Sequence, residues 1–327
     1  MGMPAFISTG LNRGLKKYTL TTVSFGFDTN HLQRKQKGII LAATKTEHMN
    51  KIIAAMDGLK YSTATEQCAI DMAKQTGSHL TGVFLDDFTY SSFTVYQMVQ
   101  KNDVSEKAIR QYSEKDKKTR DKAAEHFENA CRKAGVQYNV HRDRNISIQD
   151  LLHESIYADL LVIDQKETFT HYEEKTPTGF IRELLSEVQC PVLLVNKKYI
   201  PFEKLILLYD GGPSAVYAVK MFSYLLPSFS SLPADVLAAK GFYGDLHLPD
   251  NRLMKELMKR HYPKASYEVL KGQPQTEIIN RLRKEKEGTL VVLGSNRRGS
   301  LSRWFKESMA DILMEKMQGP LFVAYHK

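Results

Sequence analysis

The chain has 327 residues, enough for two ordinary domains, and its 42% hydrophobic and 25% charged content fits a globular protein. No apolar run approaches the roughly 20 residues of a membrane helix, so no membrane partner is expected. The formal charge of +9 is uneven: residues 1–48 hold seven Lys/Arg and two acids, so five of the nine excess charges lie there and four in the rest. A body this weakly basic gives no case for nucleic-acid binding.

Residues 1–48 read differently from the remainder of the chain. They lack the apolar core of a signal peptide, and the first 27 residues contain no acid, as in a mitochondrial presequence. However, Tyr18 to Phe25 is β-branched and alternating, unlike an amphipathic helix. We expect an extension that is disordered or not native, with Met49 as the natural start, because a strand pattern begins directly after it. N-terminal mapping of the native protein tests this; a mature chain beginning at Met1 and ordered throughout would sink it. Cys68, Cys131 and Cys190 are odd in number, far apart and outside any metal-ligand spacing. They read as buried reduced thiols of a cytoplasmic protein.

From Met49 the pattern alternates strand and helix. Lys51 to Met56 is a strand ending at Asp57-Gly58, and Tyr61 to Thr76 has helical spacing with Gly77 as stop signal. His79 to Leu85 is a second strand, followed by an aromatic loop with Phe88, Tyr90, Phe93 and Tyr96. Asp103 to Ala134 is a long charged helix whose charges form a solvated face. Val136 to Val140 is a third strand, and Ser147 caps a helix through Ile156. Asp159 to Asp164 is a fourth strand, Thr178 to Val188 a helix and Pro191 to Val195 a fifth strand.

The pattern then restarts after a short linker, Asn196 to Glu203. Lys204-Leu-Ile-Leu-Leu-Tyr-Asp-Gly211 repeats Lys51-Ile-Ile-Ala-Ala-Met-Asp-Gly58, and Thr289 to Gly294 echoes Asp159 to Asp164. Gly319-Pro-Leu-Phe-Val-Ala324 echoes Cys190-Pro-Val-Leu-Leu-Val195. A whole-domain repeat of strands alternating with helices predicts an α/β fold: two tandem, mostly parallel sheets with helices on both faces. The predicted divisions are an extension, 1–48, and domains at 49–198 and 203–327.

One stretch carries chemistry. The strand Thr289 to Leu293 runs into Gly294-Ser-Asn-Arg-Arg-Gly-Ser-Leu-Ser-Arg-Trp-Phe-Lys-Glu-Ser308, and helical spacing runs from Ser302 to Lys316. A strand, a glycine-containing loop and a helix N-terminus can aim backbone N–H groups at an anion. Gly294 and Gly299 permit close approach. Ser300 and Ser308 offer hydroxyls, and Arg297, Arg298 and Arg303 supply cationic donors. An ordinary strand-to-helix turn on a basic surface is the alternative.

This stretch resembles the nucleotide loop of the universal stress protein family, G-x2-G-x9-G-[S/T]. Gly294 matches the first glycine, Ser308 the final hydroxyl, and Arg298-Gly299 with Leu301-Ser302-Arg303 matches the run RGGLSR. Arg297 replaces the second glycine and Glu307 the third. The resemblance covers nearly everything after Met49, in two copies. It implies two five-stranded, Rossmann-like domains, of the adenine nucleotide alpha hydrolase-like type. It also implies ATP contacts from Asp210, Gly294, Arg297, Gly299, Ser300 and Ser308, with Mg²⁺ following the nucleotide. Asp57 occupies the position of Asp210, but Asp164 replaces the first loop glycine and a glutamate-rich run comes after it. The resemblance therefore implies no ATP in the first domain, whose task is to pair with the second inside the chain. In the family the last strand of each domain pairs across a twofold axis, which implies an antiparallel meeting of Pro191–Val195 with 320–325.

The function expected is a cytoplasmic, nucleotide-responsive binding or signalling module in stress tolerance, acting on a protein partner the sequence does not identify. A nucleotide-free interaction module is the alternative, and a weak ATPase ranks last, since no residue stands out as a general base. His141-Arg-Asp143 is similar to a kinase triplet but lacks the other kinase motifs. His153 and His171 show no metal spacing.

Overall fold

The computed structural model describes residues 50–85, 105–143, 147–170, 172–296, 308–317 and 319–326. The inner strands are near-continuous apolar runs, such as Lys51–Met56 and Val192–Val195, and successive side chains point to opposite faces, so helices must cover both. In chain order the first half is β1 (Lys51–Met56), α1 (Thr63–Thr76), β2 (His79–Leu85), α2 (Glu106–Ala134), β3 (Tyr138–Asp143), α3 (Ser147–Ser155), β4 (Leu160–Asp164), α4 (Gly179–Glu187) and β5 (Val192–Val195). The second half is β6 (Lys204–Leu208), α5 (Pro213–Leu225), β7 (Ala234–Lys240), α6 (Asn251–His261), β8 (Ser266–Lys271), α7 (Pro274–Leu282), β9 (Thr289–Asn296), α8 (Met309–Lys316) and β10 (Leu321–His326). A short 3-10 helix, Pro227–Ser231, follows α5.

The strands form one sheet in the order β3-β2-β1-β4-β5-β10-β9-β6-β7-β8. Each half has the same internal order, so the second mirrors the first about the β5–β10 seam. All pairings are parallel except that seam, where Leu321, Phe322 and Val323 face Leu194, Leu193 and Val192. The two final strands therefore meet antiparallel within one chain, and neither apolar edge is left open.

Two cores flank the sheet. On one face Ile52, Ala54 and Met56 of β1 pack with α1, α2, α5 and α6, through residues such as Met72, Phe127, Phe222 and Met258. On the other, Ile53 and Ala55 pack with α3, α4, α7 and α8, through Leu151, Leu184, Leu282 and Leu313. Both cores run through both halves.

Local signals explain several boundaries. Ser62, Ser105 and Thr178 cap α1, α2 and α4, each accepting a backbone N–H. Gly77 and Gly135 close α1 and α2 in the left-handed region. The third strand lies later than the sequence pattern places it, reaching Asp143. The last helix begins at Met309 rather than Ser302, with Ser308 as its non-helical cap. Residues 302–307, the aromatic run from Phe88 to Tyr96, and residues 1–48 lie outside the described residues.

Candidate functional site

In the second half the chain leaves β6 as Tyr209-Asp210-Gly211-Gly212 and enters α5 at Pro213. β6 and β9 pair in parallel with Leu207 opposite Val292. Asp210 follows two residues after the end of β6, and Ser295 lies near the end of β9. This is the C-terminal edge of a parallel sheet, where α/β ligands bind. Asp210 is exposed, and its Oδ1 accepts the Gly212 N–H at 2.8 Å. Gly211 adopts φ 85°, and a Cβ there would lie 2.6 Å from Pro249, so only glycine serves this turn. Beside it Tyr209 is buried; burial pushes its phenol up, and the nearby carboxylates of Asp250 and Asp210 add to the effect.

Gly294 sits in β9, and its missing Cβ has a packing cause. A Cβ there would lie 2.2 Å from the Ser214 carbonyl group and 2.5 Å from the Ala215 nitrogen. The first turn of α5 therefore rests directly on this strand. Gly294→Ala is expected to destabilise the protein by about 1–3 kcal/mol, because backbone cannot yield as a side chain can. Urea unfolding checks this, and an unchanged midpoint would refute the packing role.

Ser308 has a structural task too. Its Oγ accepts the Asp311 N–H at 3.1 Å while Asp311 Oδ2 accepts the Ser308 N–H at 2.8 Å, a complete capping box for α8. The hydroxyl keeps its own proton to donate. Arg297, Gly299, Ser300 and Glu307 lie outside the described residues. Ser295, Ser308 and Asp311 line a cavity of about 990 Å³ with Gln149, His153 and Arg182 of the first half. Asp210 is not among its walls; the structure places Asp210 on the same sheet edge but not in that cavity.

The equivalent edge of the first half is filled by its own chain. Asp57 is 1% exposed, and its Oδ1 accepts the Leu59 N–H at 2.7 Å. Arg120 of α2 lies against Gly58, with its Cγ 2.8 Å from where a Cβ would stand. Asp164, at the place of Gly294, accepts from Ser62 Oγ at 3.2 Å and from the Lys166 N–H at 2.9 Å. The next residues turn inward. Glu167, Thr168 and Phe169 are buried, Phe169 at φ 47° with its ring 4.6 Å from Phe180. Glu167 Oε1 accepts the Thr168 and Phe169 N–H groups, each at 2.8 Å. Burial, and then the neighbouring Asp57, push its carboxyl up to about 8, against those two bonds. Lys60 Nζ ties the strap down through the Thr170 carbonyl. Sequence reasoning misses this strap, because a run with three glutamates reads as solvated loop.

Other candidates resolve structurally. The three cysteines are free and buried. His141 and Arg142 lie on the edge strand β3. His141 Nδ1 meets Glu154 Oε1 at 2.6 Å, a hydrogen bond, and Arg142 meets Asp121 at 2.5 Å, an ion pair, so these two residues serve structural contacts. Burial alone would raise Glu154, but hydrogen bonds from Lys51 and His141 outweigh it and hold its carboxyl below the usual range. No cluster suited to a metal ion occurs among the described residues. No described helix is long and apolar enough to cross a membrane.

No family model matches the chain, and no curated protein matches it in sequence. Solved structures do match. One is a universal stress protein from Archaeoglobus fulgidus DSM 4304, at TM-score 0.62 and 12% identity, over 86% of this chain and 100% of that one. A functionally unknown protein from Pseudomonas aeruginosa PAO1 matches at TM-score 0.55 and 13% identity, over 85% and 93%. A candidate universal stress protein from Pseudomonas aeruginosa UCBPP-PA14 matches at TM-score 0.53 and 13% identity, over 85% and 94%. At these identities the likeness is one of fold: the chain has the α/β fold of universal stress proteins.

Proposed function

We propose that the chain is a tandem universal stress protein, a cytoplasmic nucleotide-responsive module that binds Mg·ATP in its second domain, 203–327, and uses its first, 49–198, as a fixed mate. The observation that carries this reading is the contrast between two equivalent carboxylates. Asp57 is buried beneath its strap, whereas Asp210, just beyond β6, is exposed. In this reading Asp210 takes the nucleoside, and the segment from Gly294 to Ser308 faces the phosphates.

Calorimetric titration of the full chain with Mg·ATP tests it. One site is expected. Asp210→Asn should weaken binding about ten- to a hundredfold, the loss of a charged hydrogen bond. Asp57→Asn should leave it unchanged. Reverting Arg297→Gly and Glu307→Gly together should tighten it. If no ATP binds to parent or revertant, the reading falls to a nucleotide-free interaction module. Loss of binding in Asp57→Asn alone would move the site to the first domain.

A further inference from the structure

The β5–β10 seam leaves a cavity of about 430 Å³ where β5 ends and β9 and β10 begin. Its apolar lining is half-buried Tyr199, Ile200, Met317 and Pro320, with the buried core residues Leu282, Val291 and Leu313 behind them. Protein interiors leave few voids larger than a water molecule, and apolar cavities of this size are ligand-sized. The rim has different chemistry. Lys166, Lys197, Lys198 and Lys286 stand exposed around it, without an ion-pair partner among the described residues. The rim carboxylates do not balance them. Glu285 is held by Lys204 at 3.0 Å and by Arg281, which leaves Glu287.

The segment that carries Lys197 and Lys198 is fixed. The neighbouring Tyr199 donates its hydroxyl to Asp71 of α1, and its ring stacks edge-on against Phe202 at 5.8 Å. The backbone that carries two of the rim lysines is thus anchored before any ligand arrives. The cavity lies at the N-terminal ends of β9 and β10, the end of the second half opposite Asp210.

We propose that this seam cavity binds an amphiphilic anion: an apolar body seated between α7, α8 and the starts of β9 and β10, with one carboxylate among the rim lysines. Apolar walls without the lysines would accept either charge; the rim selects the anion. Calorimetric titration of the full chain with decanoate, and separately with decyltrimethylammonium as the matched cation, tests it. Decanoate is expected to saturate one site, with the cation at least about tenfold weaker. Lys197→Glu with Lys286→Glu should weaken decanoate by at least about tenfold, and Lys197→Arg with Lys286→Arg should retain it. All four substitutions lie on exposed side chains, so the unfolding midpoint should hold. Met317→Trp, which fills the cavity, should abolish binding. Absence of saturable decanoate binding, equal binding of the cation, or undiminished binding to the charge-reversed protein would each overturn the assignment.

Discussion

Phe322→Ala is expected to cost the whole molecule about 3–5 kcal/mol, the usual range for deleting a buried aromatic side chain. Phe322 is fully buried in β10, opposite Leu193 across the seam and level with Val292 of β9. Its ring meets Phe222 of α5 edge-on, with centroids 5.1 Å apart. Truncation therefore opens a cavity at the point where both halves share one core. Urea unfolding should show a lower midpoint with an unchanged slope, still as one transition. Tyr224→Ala, at a side chain 57% exposed, serves as the comparison and should change stability by about 0.5 kcal/mol at most. If Phe322→Ala is as mild as that, or if it splits unfolding into two steps, the shared core does not couple the halves.

The second large effect is on pH dependence. The Glu167 carboxyl is raised to about 8 in the fold, above its ordinary 4.5. A group raised in this way stabilises the fold fully below its unfolded value. That stabilisation is then lost as pH climbs from about 4.5 to about 8, because the unfolded chain releases the proton first. Above that window the fold holds a buried carboxylate next to Asp57 and Asp164. Glu167→Gln keeps an oxygen to accept the Thr168 and Phe169 N–H groups and removes the titration. The parent should lose stability between about pH 5 and about pH 9 by a few kcal/mol more than the variant does. Parallel pH profiles for the two proteins would show that Glu167 does not titrate in this window.

The sheet and its halves were legible in the sequence for a definite reason. Strand ends are marked by Asp-Gly pairs at Asp57 and Asp210, and the seam strands by the prolines Pro191 and Pro320. Repetition of these marks organises the chain even between 212 and 288, where no single element is assigned from the sequence. The site was less legible, because one residue type serves two ends. Gly294 fits both a phosphate loop and a helix resting on a strand, and the contact with Ser214 comes from far away in sequence. The spacing of Ser308 and Asp311 is that of a capping box, a local signal that the order of residues carries by itself. The inward strap was not legible. Its burial depends on Lys60 and on the covering of the Asp57–Gly58 turn by Arg120 of α2, neither adjacent to it in sequence.

The position of β10 has a consequence for how the chain is made. β10 is the last strand in sequence, yet it lies in the middle of the sheet, between β5 and β9. Until it has been synthesised, the two halves have no strand in common, and the inner edges of β5 and β9 both wait with unpaired backbone. Such edges invite pairing with other chains. Closing the seam joins residues 192–194 to 321–323, a long separation that makes this step slow relative to local folding. The nascent protein is thus most open to capture, by a chaperone or by another copy of itself, just before the sheet receives its central strand.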